Sequence, residues 1–256
     1  MMEPPLLLNQ LSLQTQLQTL TLPLGQFAPW SEMITPDSPL VLYRVKQVWP
    51  IVYRSPLLQQ ILQQIQTCDR NALVAQLLEQ LPSHPDWQHQ VDEAHCRLAF
   101  QWRPGAIASY LQSLWVVSRE LGAPSELIDL PLSQLSPEHL QLQYAHGRCC
   151  SLLALAQRQG LAIPQRPDWL SLNSVGDRAF FSVWLTCGDR LALGHEGLKP
   201  MRQLTDAWQG WYAQSQIWGT TPAPLAQTRL ALIALMQRLL GWYLQQYCGL
   251  EPWRST

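Results

Sequence analysis

The sequence predicts a mainly α protein in two parts, a small α/β N-terminal domain followed by an α-helical bundle. Three observations carry that expectation. Apolar residues recur at helical spacing over 138–159, from about Pro200 onward, and over about 224–247. In the first half, the β-branched and aromatic run LVLYRVKQVWPIVYR at 40–54 and the segment VDEAHCRLAFQW at 91–102 break up the helical patterns. Between the halves, GAPSELIDLPLSQLSPE at 122–138 carries three Pro and strong turn chemistry, which marks a linker.

In chain order, residues 1–38 mix Leu, Gln and Thr with turn signals at LPLG, FAPW and TPDSP, and are expected to be a docked arm. A domain is placed at 39–121. Its run at 40–54 suits a strand interrupted at Pro50, where no N–H is left for the ladder. SPLLQQILQQIQ then opens a helix, with Ser55 as N-cap, Pro56 at the first helical position and apolar residues at 57, 58, 61, 62 and 65. RNALVAQLLEQL at 70–81 repeats the pattern and stops at Pro82. After the polar SHPDWQHQ, 91–102 is expected to form one or two extended segments, and GAIASYLQSLWVVSREL a third helix. The linker at 122–138 leads into the helical domain at 139–256. Between its first two long helices, 168–195 contains further apolar segments, notably AFFSVWL.

Composition narrows the function classes. The chain is 47% hydrophobic and 14% charged, a foldable balance. No run approaches the roughly 18 apolar residues of a membrane helix, and no basic region precedes the first apolar patch, so no membrane association and a cytoplasmic location are expected. The net charge of −1 argues against broad electrostatic binding to nucleic acid, DNA included. Lys46 and Lys199 are the only lysines among 17 basic residues, and arginine favours bidentate and stacked contacts, which leaves room for a selective polar site. The six Cys, at 68, 96, 149, 150, 187 and 248, show no paired spacing and are expected to be reduced.

The stretch QLQYAHGRCCSLLALAQRQG at 141–160 places Tyr, His and Arg within five residues beside a vicinal Cys pair. On a helical wheel Leu142, Ala145, Cys149, Leu152, Leu153 and Ala156 share the core face, which makes Cys149 a small buried hydrophobe. Tyr144 and Arg148 are four apart and neighbour each other on one flank, while His146 projects from the other. A Cys/His nucleophile lacks an orienting acid and an oxyanion donor. Zinc would require paired ligand motifs, and only His95-Cys96 and Cys149-Cys150 are adjacent, so no metal is expected. Tyr144 and Arg148 either border the core or form a ligand surface.

The segment LQLQYAHGRCCSLL closely resembles the first helix of the C-terminal anticodon-binding domain, the DALR domain, of arginyl-tRNA synthetases. Gln143, Tyr144, Ala145, His146, Arg148, Cys150, Ser151 and Leu152 match that helix in register, with Gly147 where Ala is usual. LKPMRQLTDAWQGWYAQSQIWG resembles the family's Pro-containing helix ending in an aromatic pair, here Trp211-Tyr212. TRLALIALMQRLLGWYLQQYCGLEPWRS resembles its final helix. The three matches occur in the family's order and cover about 139–256. The first half is similar to the synthetase N-terminal additional domain, although Ala94-His95-Cys96-Arg97-Leu98-Ala99 stands where the family has Gly-Pro-Gly-Phe-Ile-Asn. The close also departs from the family's: Glu251-Pro252-Trp253-Arg254-Ser255-Thr256 replaces an end with Pro-x-Arg and Met.

The resemblance implies a helical bundle of the anticodon-binding type and tRNA as partner. Splayed bases would stack on aromatic rings and be read by arginine. The positions it marks for RNA are Tyr144, His146, Arg148, Trp211 and Tyr212, with Trp208 and Trp218 as secondary candidates. The full-length family uses ATP, but no His-Ile-Gly-His-like element, no Lys-Met-Ser-Lys-like loop and no Gly-rich phosphate loop is present, so no cofactor and no catalytic residue are expected. The leading expectation is therefore a catalytically empty, synthetase-like tRNA-binding protein. A protein-interaction scaffold that kept the fold without RNA, and an accessory chain serving arginine-tRNA ligase activity in trans, are the alternatives.

Overall fold

A computed structural model describes residues 12–14, 17, 41–45, 49–64, 72, 74, 75, 78, 79, 81, 83–92, 95, 97–119, 132–193 and 197–253. The protein is mainly helical with a small four-stranded antiparallel sheet. Two compact units divide at Ile107 and Ala108, inside the helix Pro104–Val117. Much of the linker expected at 122–138 lies outside the described residues.

Within Ser12–Ile107 the strands are β1 (Tyr43–Arg44), β2 (Val52–Ser55), β3 (Trp87–Asp92) and β4 (Arg97–Trp102), in the order β1-β2-β4-β3. The run at 40–54 forms two strands rather than one, with Pro50 between them, as the missing N–H requires. The Ser55 hydroxyl accepts from the Leu57 N–H at 3.2 Å and starts helix α1 (Leu57–Gln64), which packs on β4. Residues 72, 74, 75, 78 and 79 of the second expected helix are helical. The hairpin strand β3 begins at Trp87, four residues before the extended segment that the sequence suggests. Its alternation W-Q-H-Q places Trp87 opposite Trp102 and His89 opposite Phe100 on the core face, where Trp87 meets Phe100 edge-on at 5.3 Å. On the other face Arg54 pairs with Asp92 at 3.2 Å. Of the arm expected at 1–38, the described Ser12, Leu13, Gln14 and Leu17 are buried.

Helix α2 (Pro104–Val117) leads from β4 into the larger unit. That unit is built from α3 (Pro137–Arg158), α4 (Val175–Ala192), α5 (Leu198–Gln214) and α6 (Ala223–Cys248). Each start has a local cause. Ser136 accepts from the His139 N–H at 3.3 Å with Pro137 at the first position of α3, and Ser174 with Asp177 forms a reciprocal capping box on α4. Residues 230–236 of α6 are all buried, so this helix is apolar on every side and forms the centre of the unit. Helix α3 packs along α6 and against α5, and α4 packs against α5. Gly249, at φ +64°, ends α6 in the left-handed region, where a side chain would be strained. The Leu250 N–H then closes back on the Leu244 carbonyl at 2.9 Å, turning residues 251–253 towards α3. Among the described residues no helix is long and apolar enough to cross a membrane.

Candidate functional site

Helices α3 and α5 run side by side in the same direction, joined by a ladder of pairs. Arg202 faces Glu138 at 3.6 Å, the Gln141 amide donates to Asp206, and Arg148 lies over the Tyr212 ring at 5.6 Å from its centroid. The two carboxylates are confined to the N-terminal end of the ladder. At the other end the surface is cationic and aromatic.

There the stack runs from the core outward. Trp208, 1% exposed, lies nearly parallel to the half-buried Tyr212, with centroids 5.9 Å apart and planes at 19°. Exposed Arg148 covers Tyr212 from α3. Tyr144, one turn earlier on α3, is 60% exposed, an unusual position for a ring on an otherwise packed helix. The flank shared by Tyr144 and Arg148 is thus a surface, and the fold brings Tyr212 to it.

The other two expected contacts are turned inward. Trp211 is buried, stacks on Phe180 at 5.5 Å and donates its indole N–H to Asp177 at 2.8 Å. Neighbouring helical residues are about 100° apart, so the pair Trp211-Tyr212 cannot present both rings to one ligand. His146 is also buried, and it holds the C-terminal segment: its Nδ1 lies 2.8 Å from the Trp253 carbonyl, which can only accept. That bond fixes the Nδ1–H tautomer and leaves Nε2 to accept from the Gln237 amide at 3.4 Å. His146 stands apart from the Tyr144 and Arg148 pair, and its flank is buried rather than open to a ligand, because its partners lie on α6 and on the tail, more than 90 residues ahead in the chain. Of the secondary candidates, Trp208 is core and Trp218 is half-buried.

Gln143 completes the tail clamp. Its Nε2 donates to the Glu251 carbonyl and its Oε1 accepts from the Trp253 N–H, each at 2.8 Å, so the side-chain amide pairs with main chain as a neighbouring strand would. Gln143, Asp177 and Gln237 carry structure that periodicity does not mark. Only Asp177 left a local trace, the Ser174-x-x-Asp177 spacing of a capping box.

The thiols divide in the same way. Burial, and to a lesser degree the neighbouring Cys150, holds the Cys149 thiol well above the usual range. Burial pushes Cys187 up to about 12 and Cys248 up to about 11. Cys150 instead borders a cavity of about 630 Å³ lined by Leu153, Ala154, Leu161 and Ile163. Iodoacetamide at pH 8 is expected to label Cys150 while sparing Cys149 and Cys187 until urea is added, as read by peptide mass spectrometry. Native labelling of Cys149 at the rate of Cys150 would contradict this burial pattern.

Among the described residues no three His, Cys, Asp or Glu side chains gather as a metal would require. Comparison with family models, with curated proteins and with solved structures finds no match for the chain.

Proposed function

We propose that the helical unit is an anticodon-binding domain of the arginyl-tRNA synthetase type, and that the chain is a catalytically empty cytoplasmic protein that binds tRNA. The observation that carries this reading is the surface of exposed Tyr144 and the Arg148–Tyr212–Trp208 stack, built by two helices that both carry the family-like motifs. A base splayed from a loop would stack on Tyr144 or on the Arg148 plane, and Arg148 would donate to its edge or to a phosphate. The motif divides by depth, with Gln143 and His146 holding the tail while Tyr144 and Arg148 face outward. One helix turn can therefore serve both stability and recognition.

The test is a gel shift with total tRNA at low salt, repeated in salt steps. Tyr144→Ala is expected to weaken binding by about tenfold, the loss of one stacked base. Arg148→Lys keeps the charge and loses the planar stack, so it should weaken binding with little change in the salt slope, whereas Arg148→Gln should also flatten that slope. A complex that is absent at low salt, or unaltered by all three variants, defeats the proposal and favours the protein-interaction scaffold.

A further inference from the structure

Trp115, on α2, is 1% exposed, yet two guanidinium groups lie over its ring, Arg119 at 4.8 Å and Arg238 of α6 at 4.4 Å from the centroid. The indole is a fixed platform. Its N–H donates to the Gln165 carbonyl at 2.9 Å, and its edge meets Trp169, itself tied to Gln112 at 3.1 Å. Arg238 is half-buried and donates to the Ser118 hydroxyl at 3.2 Å, and that hydroxyl donates to the Trp115 carbonyl at 3.0 Å. Arg119 is exposed.

The two cations share one ring, so their separation cannot exceed the sum of their distances to it. Two like charges held over one ring repel, and among the described residues no carboxylate pairs with either. Burial, and then the charge on Arg119, push the Arg238 guanidinium below the usual arginine range. The negative face of the indole attracts each cation but leaves the double charge uncompensated. A tetrahedral dianion would compensate it: phosphate oxygens accept N–H bonds at about 2.7–2.9 Å from a planar fork on either side.

We propose that Arg119 and Arg238, aligned on Trp115 with Ser118 behind them, bind a phosphate group at a site distinct from the Arg148–Tyr212 surface. The site does not depend on the tRNA reading, since none of its residues belongs to that surface. The match to a double positive charge favours a monoester, a dianion with three terminal oxygens, over an RNA backbone diester, a monoanion with two, although either can accept from two guanidinium forks.

The experiment is thermal unfolding of the full chain at pH 8 and constant ionic strength, with chloride replaced stepwise by inorganic phosphate. A saturable rise in Tm is expected with phosphate and not with chloride. Arg119→Gln, a change at an exposed side chain, should weaken the apparent affinity by about tenfold, the loss of one charge-assisted bond. Arg238→Gln should do the same in whatever fraction folds. Adding a short oligouridylate tells the sources apart: displacement of phosphate identifies the backbone diester, and its absence the monoester. No phosphate-specific rise, or a rise that Arg119→Gln leaves unchanged, overturns the site.

Discussion

Asp177→Ala is expected to destabilise the helical unit by about 3 kcal/mol, as a fall in the urea midpoint with an unchanged slope. The carboxylate is 1% exposed and accepts twice, from the Ser174 N–H at 2.9 Å and from the Trp211 indole at 2.8 Å. Alanine removes the carboxylate half of the α4 capping box, while the Ser174 hydroxyl still accepts from the N–H of residue 177, and it leaves a buried indole N–H without its acceptor, each loss costing on the order of 1–2 kcal/mol. Asp177→Asn should fall between the two, because an amide turns one acceptor into a donor facing another donor. Trp211→Phe keeps the stack on Phe180 and removes the N–H. A double-mutant cycle between Asp177→Ala and Trp211→Phe should therefore return about 1.5 kcal/mol of coupling, and a coupling near zero would show that the bond contributes nothing.

The second large effect is at the tail clamp. Gln143→Ala deletes both bonds to the 251–253 backbone, and the expected loss is about 2–3 kcal/mol. Because Glu251 is exposed and Trp253 half-buried, the freed segment can detach and hydrate rather than stay buried and unpaired. Amide exchange at Trp253 should then rise more than exchange within α6. His146 adds a steric test. A Cβ at Gly241 would stand 3.2 Å from His146 Nε2, so Gly241→Ala should destabilise the protein, despite the roughly 1 kcal/mol that alanine gains over glycine in a helix. In a His146→Ala background the same change should become neutral or stabilising. Equal effects in both backgrounds would exclude the contact.

These residues show how far the sequence could be read. The helices over 137–158, 198–214 and 223–248 were legible because each has an apolar face at the helical period and a Pro near its start. Helix α4 was visible only as apolar segments, since its boundary is set by a Ser174 and Asp177 capping box rather than by a break in hydrophobicity. Extended structure was legible over 91–102, but the first strand starts earlier, because Gln88 and Gln90 alternate with Trp87, His89 and Val91 in a pattern of low hydropathy. At the candidate site, the Tyr144 and Arg148 flank was readable from a four-residue spacing, and Tyr212 was reached only through the resemblance. The inward turn of Trp211 follows the 201, 204, 208, 211 spacing of the buried face of α5, although its bond to Asp177 leaves no mark on that spacing. The inward turn of His146 was not readable, because it is decided by the 251–253 backbone far along the chain.

The clamp on residues 251–253 reads main chain only: the Glu251 carbonyl, the Trp253 N–H and the Trp253 carbonyl. Pro252 sits where no N–H is called for, so its ring costs no bond. Side-chain identity in this segment is therefore unconstrained by the clamp, whereas the number of residues between Gly249 and Trp253 is constrained, because a one-residue insertion would put a carbonyl where Gln143 needs a donor. The tail works as a gauge of length. Any sequence of that length can occupy it with the register of α3 and α6 intact.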